Sequence, residues 1–212
     1  TPEIVLRAYA SGIFPMAKDR NAKNLFWVDP EWRGIFPLNA VHVPRRLAKK
    51  IRQNRFSIKF NRDFKQVIVA CAKRAPGRES TWINDEIIAV YCSLYQKGYA
   101  HSVEAWLGEK LVGGLYGVSL RGAFFGESMF SNVTDSSKIT LLYLIHHLKK
   151  SGYPLLDVQF LTEHLARLGA IEVHRTKYHK LLKRAMVCKH YFYLPSTELD
   201  GNTVLQSITQ TS

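Results

Sequence analysis

At 212 residues and 46% apolar side chains, the chain has material for one domain, or for a core with a small lobe. Thirty Lys and Arg against 17 Asp and Glu leave a formal charge of +13, which favours a polyanionic partner; no strongly amphipathic terminal helix argues for an anionic membrane instead. No run of about 18 apolar residues predicts a membrane span, TPEIVLRAYASG lacks a secretory layout, and three cysteines without metal-like spacing (Cys71, Cys92, Cys188) suit a reduced, cytoplasmic protein.

Taken in order, residues 2–11 read as a short helix that Gly12 ends. GIFPM, a polar run and LFWVDPEWRG follow, predicting a turn-rich small lobe over 1–34 ahead of a main domain over 35–190. In VPRRLAKKIRQNRF, Pro44 suits a first helical turn. Arg45, Lys49 and Arg52 then fall at i, i+4 and i+7, with Arg46 and Lys50 beside them and Leu47 and Ile51 facing inward. That face is either a solvated basic surface or a set of phosphate contacts.

A strand is expected over 56–60, a helix over 63–74 with Phe64, Val67, Ile68 and Cys71 inward, a loop RAPGRES, and a helix from the N-cap Asn84 to about Lys97. Three strands follow, at 101–107, 110–119 and 122–126, the first two joined at Gly108–Glu109. Gly113, Gly114 and Gly117 lie inside a strand and precede no helix in GxGxxG spacing, so they mark a bulge or a close approach rather than a dinucleotide loop. A helix over 136–151, a strand over 153–160, a helix over 162–168 ended by Gly169, a strand over 170–174 and a helix over 176–185 complete the pattern. The polar end of the chain, within 191–212, reads as a flexible tail.

The stretch from Arg121 to Arg175 is where chemistry gathers. GESMFS (Gly126 to Ser131) and LLDVQF (Leu155 to Phe160) each place a carboxylate, Glu127 or Asp157, at the end of an apolar run. A buried carboxylate is costly unless bonded or used. Gln159 lies two residues after Asp157, so an extended strand points both side chains to one face. Such a pair can accept a proton and orient a nucleophile. Asp157 as a loop cap and Glu127 as a partner of a basic side chain remain equally open on spacing alone.

The runs VGGLYGV (Val112 to Val118), GESMFS followed by TDSSK (Thr134 to Lys138), and LLDVQFLTEHLARLGAIE closely resemble the leucyl/phenylalanyl-tRNA–protein transferase family, as do GIFP, TWI (Thr81 to Ile83) and HSVE (His101 to Glu104). The likeness runs from about Leu6 to Leu182, in a form with a short N-terminal segment. The resemblance implies a mixed α/β (α+β) fold with a GNAT-like acyltransferase core, a largely antiparallel sheet flanked by helices. The coenzyme A loop of that fold is missing, which weighs against acetyl-CoA.

The implied reaction moves leucine or phenylalanine from tRNA to the N-terminal amine of proteins that begin with Arg or Lys, marking them for degradation. The ester is already activated, so no cofactor and no metal is expected, and the eight scattered histidines offer no ligand set. An α-amine with a pKa of about 7.7–8.0 is roughly one-tenth neutral at pH 7, a cost of only about 1–1.5 kcal/mol. Losing the second proton is the harder step. The resemblance gives that proton to Asp157, with Gln159 orienting the amine and Glu127 in the site wall. Met129, Leu144, Leu148, Leu156, Trp82 and Met16 are expected to line the pocket for the aminoacyl side chain. The family usually carries Trp where this chain has Met16, which alters the pocket wall, and Leu144 and Leu148 stand where it usually has aromatics, so some methionine transfer is expected. Arg45, Arg46, Lys49 and Arg52 are the expected tRNA contacts of a monomer. A related transferase with another acceptor and an inactive RNA-binding module are the competing readings.

Overall fold

The computed structural model describes residues 1–18, 25–73 and 81–210. The elements in order are α1 (Pro2–Ala10), β1 (Phe14–Ala17), β2 (Leu25–Val28), β3 (Trp32–Ile35), α2 (Arg45–Arg52), β4 (Ser57–Phe60), α3 (Phe64–Cys71) and α4 (Asp85–Gln96). After them come β5 (Ala100–Leu107), β6 (Lys110–Leu120), β7 (Ala123–Ser131), α5 (Ser136–Lys150), β8 (Leu155–Gln159), α6 (Glu163–Ala166), β9 (Ile171–His174), α7 (Arg175–Val187) and α8 (Gly201–Thr209). The expected RAPGRES loop and the polar turn of the small lobe fall mainly outside the described residues.

The main sheet is mixed, in the order β4-β5-β6-β7-β8-β3-β9. Every neighbouring pair is antiparallel except β7 and β8, which run parallel and are joined through α5. A parallel pair needs such a crossover, and α5 is buried on nearly every side where it crosses the sheet. One core packs α5, α2 and α8 against one face of the sheet; a second packs α1, α3, α4 and α7 against the other.

The β7–β8 pairing is what makes room for a site. It runs from Ala123–Leu155 to Phe125–Asp157 and stops there, while β7 continues to Ser131 against β6 alone. A bulge at Tyr116/Gly117 lies opposite the point of divergence. Gly117 is required there, since a Cβ would stand 2.3 Å from the Phe125 carbonyl oxygen and 2.5 Å from the Phe124 ring. GESMFS is therefore strand, not the segment after one, and its side chains face the gap between two diverging strands.

One expectation is corrected. The C-terminal segment is not a loose tail over its whole length: Asp200 caps α8 by accepting from the amides of Asn202 and Thr203 at 3.0 and 3.1 Å. Val204, Leu205 and Ile208 are buried in the α2–α5 core, and Gly201 passes so close that a Cβ would meet the Ile51 carbonyl oxygen at 2.2 Å. In the expected small lobe β1 and β2 pair with each other as a two-stranded sheet, while β3 lies in the main sheet between β8 and β9.

Candidate active site

Where β7 and β8 part, a cavity of about 340 Å³ opens, within the range of small-ligand sites. Met16, Trp82, Leu115, Met129, Leu141, Leu144 and Leu156 make its wall apolar. Glu127 of β7 and Gln159 of β8 supply polar atoms, and Gln159 Nε2 donates to Glu127 Oε1 at 2.7 Å.

Of the lining predicted from sequence, Met16, Trp82, Met129, Leu144 and Leu156 are present and Leu148 is not. Leu148 is fully buried in the α5 core, one turn past Leu144 and so beyond the cavity, although it shares that helix face. Arg45, Arg46, Lys49 and Arg52 are exposed on α2, away from the cavity wall, with Leu47 and Ile51 buried beneath them.

Asp157 lies apart from the cavity lining. Its side chain is fully buried and three groups hold it. Arg33 Nη2 donates to Oδ2 at 2.7 Å and Arg33 Nε to Oδ1 at 3.0 Å; Tyr178 Oη donates to Oδ2 at 2.6 Å, and the Gln159 amide to Oδ1 at 2.7 Å. Arg33 is 1% exposed, lies between the rings of Phe14 and Tyr178 at 4.4 Å from each, and also donates to the Gly12 carbonyl at 2.9 Å. Burial works against its charge, and Asp157 more than compensates, holding the guanidinium protonated.

The fourth contact does positional work. Gln159 has φ +64, a backbone state that disfavours any residue with a Cβ. The Asp157–amide bond holds it there and turns the Gln159 side chain toward Glu127. Gly34 of β3 admits the chain as it passes, since a Cβ would stand 2.9 Å from the backbone of Phe160 and Leu161. Sequence reasoning missed Arg33. Its signal was a charged residue inside an apolar strand, WRGIF, which needs a carboxylate partner if that strand is buried.

Glu127 is held differently. Tyr9 Oη donates to Oε1 at 2.5 Å and Tyr91 Oη to Oε2 at 3.0 Å, while the two hydroxyls themselves lie 2.5 Å apart. These three oxygen–oxygen contacts close a ring, and two hydroxyls carry only two protons. In the neutral acid the third proton sits on Oε2, which then donates to Tyr91 as Tyr91 donates to Tyr9, so every contact has one proton. Burial accordingly pushes the Glu127 pKa up to about 8, aided by the charge of Asp157, against the two tyrosine bonds and Arg33, which lower it. Burial and the nearby Glu127 raise both tyrosines well above their usual range, so they remain hydroxyls.

An apolar cavity with a carboxyl and an amide in its wall can hold an apolar group and orient a polar one beside it, on a mixed α/β fold. The family model described as leucyl/phenylalanyl-tRNA protein transferase matches residues 35–183, and the model of that family's N-terminal domain matches residues 1–31. A leucyl/phenylalanyl-tRNA–protein transferase from Phenylobacterium zucineum (strain HLK1) is 52% identical over 213 residues, 98% of this chain and 96% of that one. One from Maricaulis maris (strain MCS10) is 50% identical over 99% and 97%. Among solved structures, "The structure of L-PGS from Bacillus licheniformis" is a distant likeness, with TM-score 0.42, 14% identity and coverage of 77% of this chain and 55% of that one. The chain belongs to the leucyl/phenylalanyl-tRNA–protein transferase family and is an aminoacyltransferase.

Proposed function

We propose that the chain transfers leucine or phenylalanine, and to some extent methionine, from aminoacyl-tRNA to the N-terminal amine of proteins beginning with Arg or Lys, which marks them for degradation in the cytoplasm. The observation that carries this reading is the Glu127–Gln159 pair in the wall of an apolar cavity sized for one such side chain. The four antiparallel strands β4 to β7, followed by the parallel β8 across α5, support a GNAT-like acyltransferase core. The exposed Arg45, Arg46, Lys49 and Arg52 are suited to phosphate contacts that set the register of the tRNA.

In this reading the aminoacyl side chain enters the cavity and the ester carbonyl lies at its polar side. The neutral amine attacks the carbonyl carbon, and the C–N bond forms as the nitrogen becomes cationic. Ionised Glu127 takes a proton from that nitrogen and returns it to the 3′-oxygen as the C–O bond breaks. Products are the extended peptide and a free 3′-hydroxyl, with Glu127 restored. A pKa of about 8 suits an acceptor for an amine of about 7.7–8.0. Gln159 holds the amine close to the carbonyl. Asp157 acts through Gln159 rather than on the substrate, since its lone pairs are already committed.

The test mixes the protein with labelled Leu-, Phe- or Met-tRNA and a peptide beginning with Arg, without ATP, beside a matched peptide beginning with Ala. Label is expected on the Arg peptide alone. Transfer to both peptides points to another acceptor rule, and tRNA binding without transfer points to an inactive RNA binder.

A further inference from the structure

A second concavity, of about 750 Å³, adjoins the cavity, and His164 lines both. Its walls carry Arg46 and Lys50 of α2, Lys138 of α5 and Arg167 just past α6, against Asp135 and Glu163. Four cations against two carboxylates leave the groove positive. Asp135 braces two of them, accepting from Lys50 Nζ at 2.5 Å and from Lys138 Nζ at 2.8 Å, and Glu163 braces Arg167. Each ammonium has three N–H groups and the guanidinium five, so the braced heads keep donors for a ligand. His164 Nε2, where the groove meets the cavity, is buried and has no hydrogen-bond partner among the described residues.

We propose that this groove holds the 3′-terminal phosphates of the tRNA donor, leading the single-stranded end from the basic face of α2 to the cavity. The inference rests on the donor reading above and adds the route to it. With the aminoacyl group in the cavity, the attached nucleoside must leave through an opening next to it, and the following nucleotides each bring one negative charge. The groove adjoins the cavity at His164, is positive, and is lined by Arg46 and Lys50 of the helix suited to the duplex. A second groove, between α2 and α8, carries Arg45 and Arg52 but shares no lining residue with the cavity. Backbone contacts of this kind position the donor and read no bases.

The test compares two donors carrying the same phenylalanyl group: phenylalanyl-tRNA and 3′-O-phenylalanyl-adenosine, which has no phosphate. Arg167→Gln alone and Lys138→Gln with Arg167→Gln are measured across a salt series; both side chains are solvent-accessible, so the fold is expected to tolerate them. The double variant is expected to raise KM for phenylalanyl-tRNA roughly tenfold and to reduce its salt slope by about 1.4, at about 0.7 per lost single-strand contact. The single variant gives about half that slope change, and KM for phenylalanyl-adenosine stays within about twofold. Equal losses with both donors, an unchanged salt slope, or a change in KM for the acceptor peptide instead would each overturn the proposal. A wild-type protein that transfers from neither donor would remove the donor reading and this inference with it.

Discussion

Glu127 and Asp157 stand on neighbouring strands, β7 and β8, and both are carboxylates set among apolar residues, yet they are opposite kinds of acid. Asp157 accepts from an arginine, a tyrosine and a backbone amide, has no exposed surface, and lies outside the cavity. Glu127 accepts from two tyrosines and a neutral amide, borders the cavity, and sits in a hydroxyl ring one proton short unless the acid itself is neutral. Burial alone does not separate them. The donor set does: Asp157 is bound by a guanidinium, whereas Glu127 has only neutral donors among the described residues, and burial raises its pKa to about 8.

The largest expected effect comes from breaking the fixed acid. Asp157→Asn leaves the Arg33 guanidinium buried without its counter-ion, so urea unfolding should show a loss of about 3–5 kcal/mol. A loss below about 1 kcal/mol would mean that Arg33 finds water or another partner, and that the contrast between the two acids is overdrawn. Next in size is Gly34→Ala. The new methyl forces apart β3 and the chain at Phe160–Leu161, costing roughly 1–3 kcal/mol. Because Gln159 moves with that backbone, kcat should fall by about ten- to a hundredfold with a smaller change in donor KM. Unchanged kcat would show that the position of Gln159 does not govern the rate.

Glu127→Gln mimics the neutral acid, so its stability is expected to differ least from wild type near pH 5, with a difference that depends on pH. The folded chain binds the Glu127 proton more tightly than the unfolded chain, with a pKa of about 8 against an ordinary 4.5. The stability this proton provides is therefore complete below the ordinary value and is lost as pH rises toward about 8. Glutamine does not titrate. The Tm of the variant relative to wild type should rise steadily from pH 5 to pH 8 and level off above that, checked by thermal unfolding in buffers of matched ionic strength. A flat difference would place the Glu127 pKa outside this window.

Much of this was legible in sequence because it is local. The strands expected at 101–107 and 110–119 match β5 and β6, the cap Asn84 marked the start of α4, and the helical spacing of α2 separated Leu47 and Ile51 from the basic face. The glycines of VGGLYGV read as marks of a bulge or a close approach inside a strand; Gly117 lies at a bulge and Gly113 and Gly117 at close approaches. What stayed hidden depends on distant partners. Arg33 and Asp157 are 124 residues apart, and Tyr9 and Glu127 are 118 apart, so no spacing rule joins them. The helix α8 hid behind a polar composition, since its burial comes from Val204, Leu205 and Ile208 meeting α2 and α5. The motifs located both acids, but their roles waited on their donors.

The measurement that bears most directly on those roles is kcat/KM for an Arg-initiated peptide as a function of pH, for wild type and Glu127→Gln, with phenylalanyl-tRNA saturating. This parameter reports the groups that must lose protons in free enzyme and free substrate. Wild type should climb with a limiting logarithmic slope of about two below pH 7, one proton from the amine and one from Glu127. The variant should be slower by about 10²- to 10⁴-fold and climb with a slope of about one. A wild-type slope of about one, or a variant that keeps both the slope and the rate of wild type, would contradict the assignment of Glu127 as the proton acceptor.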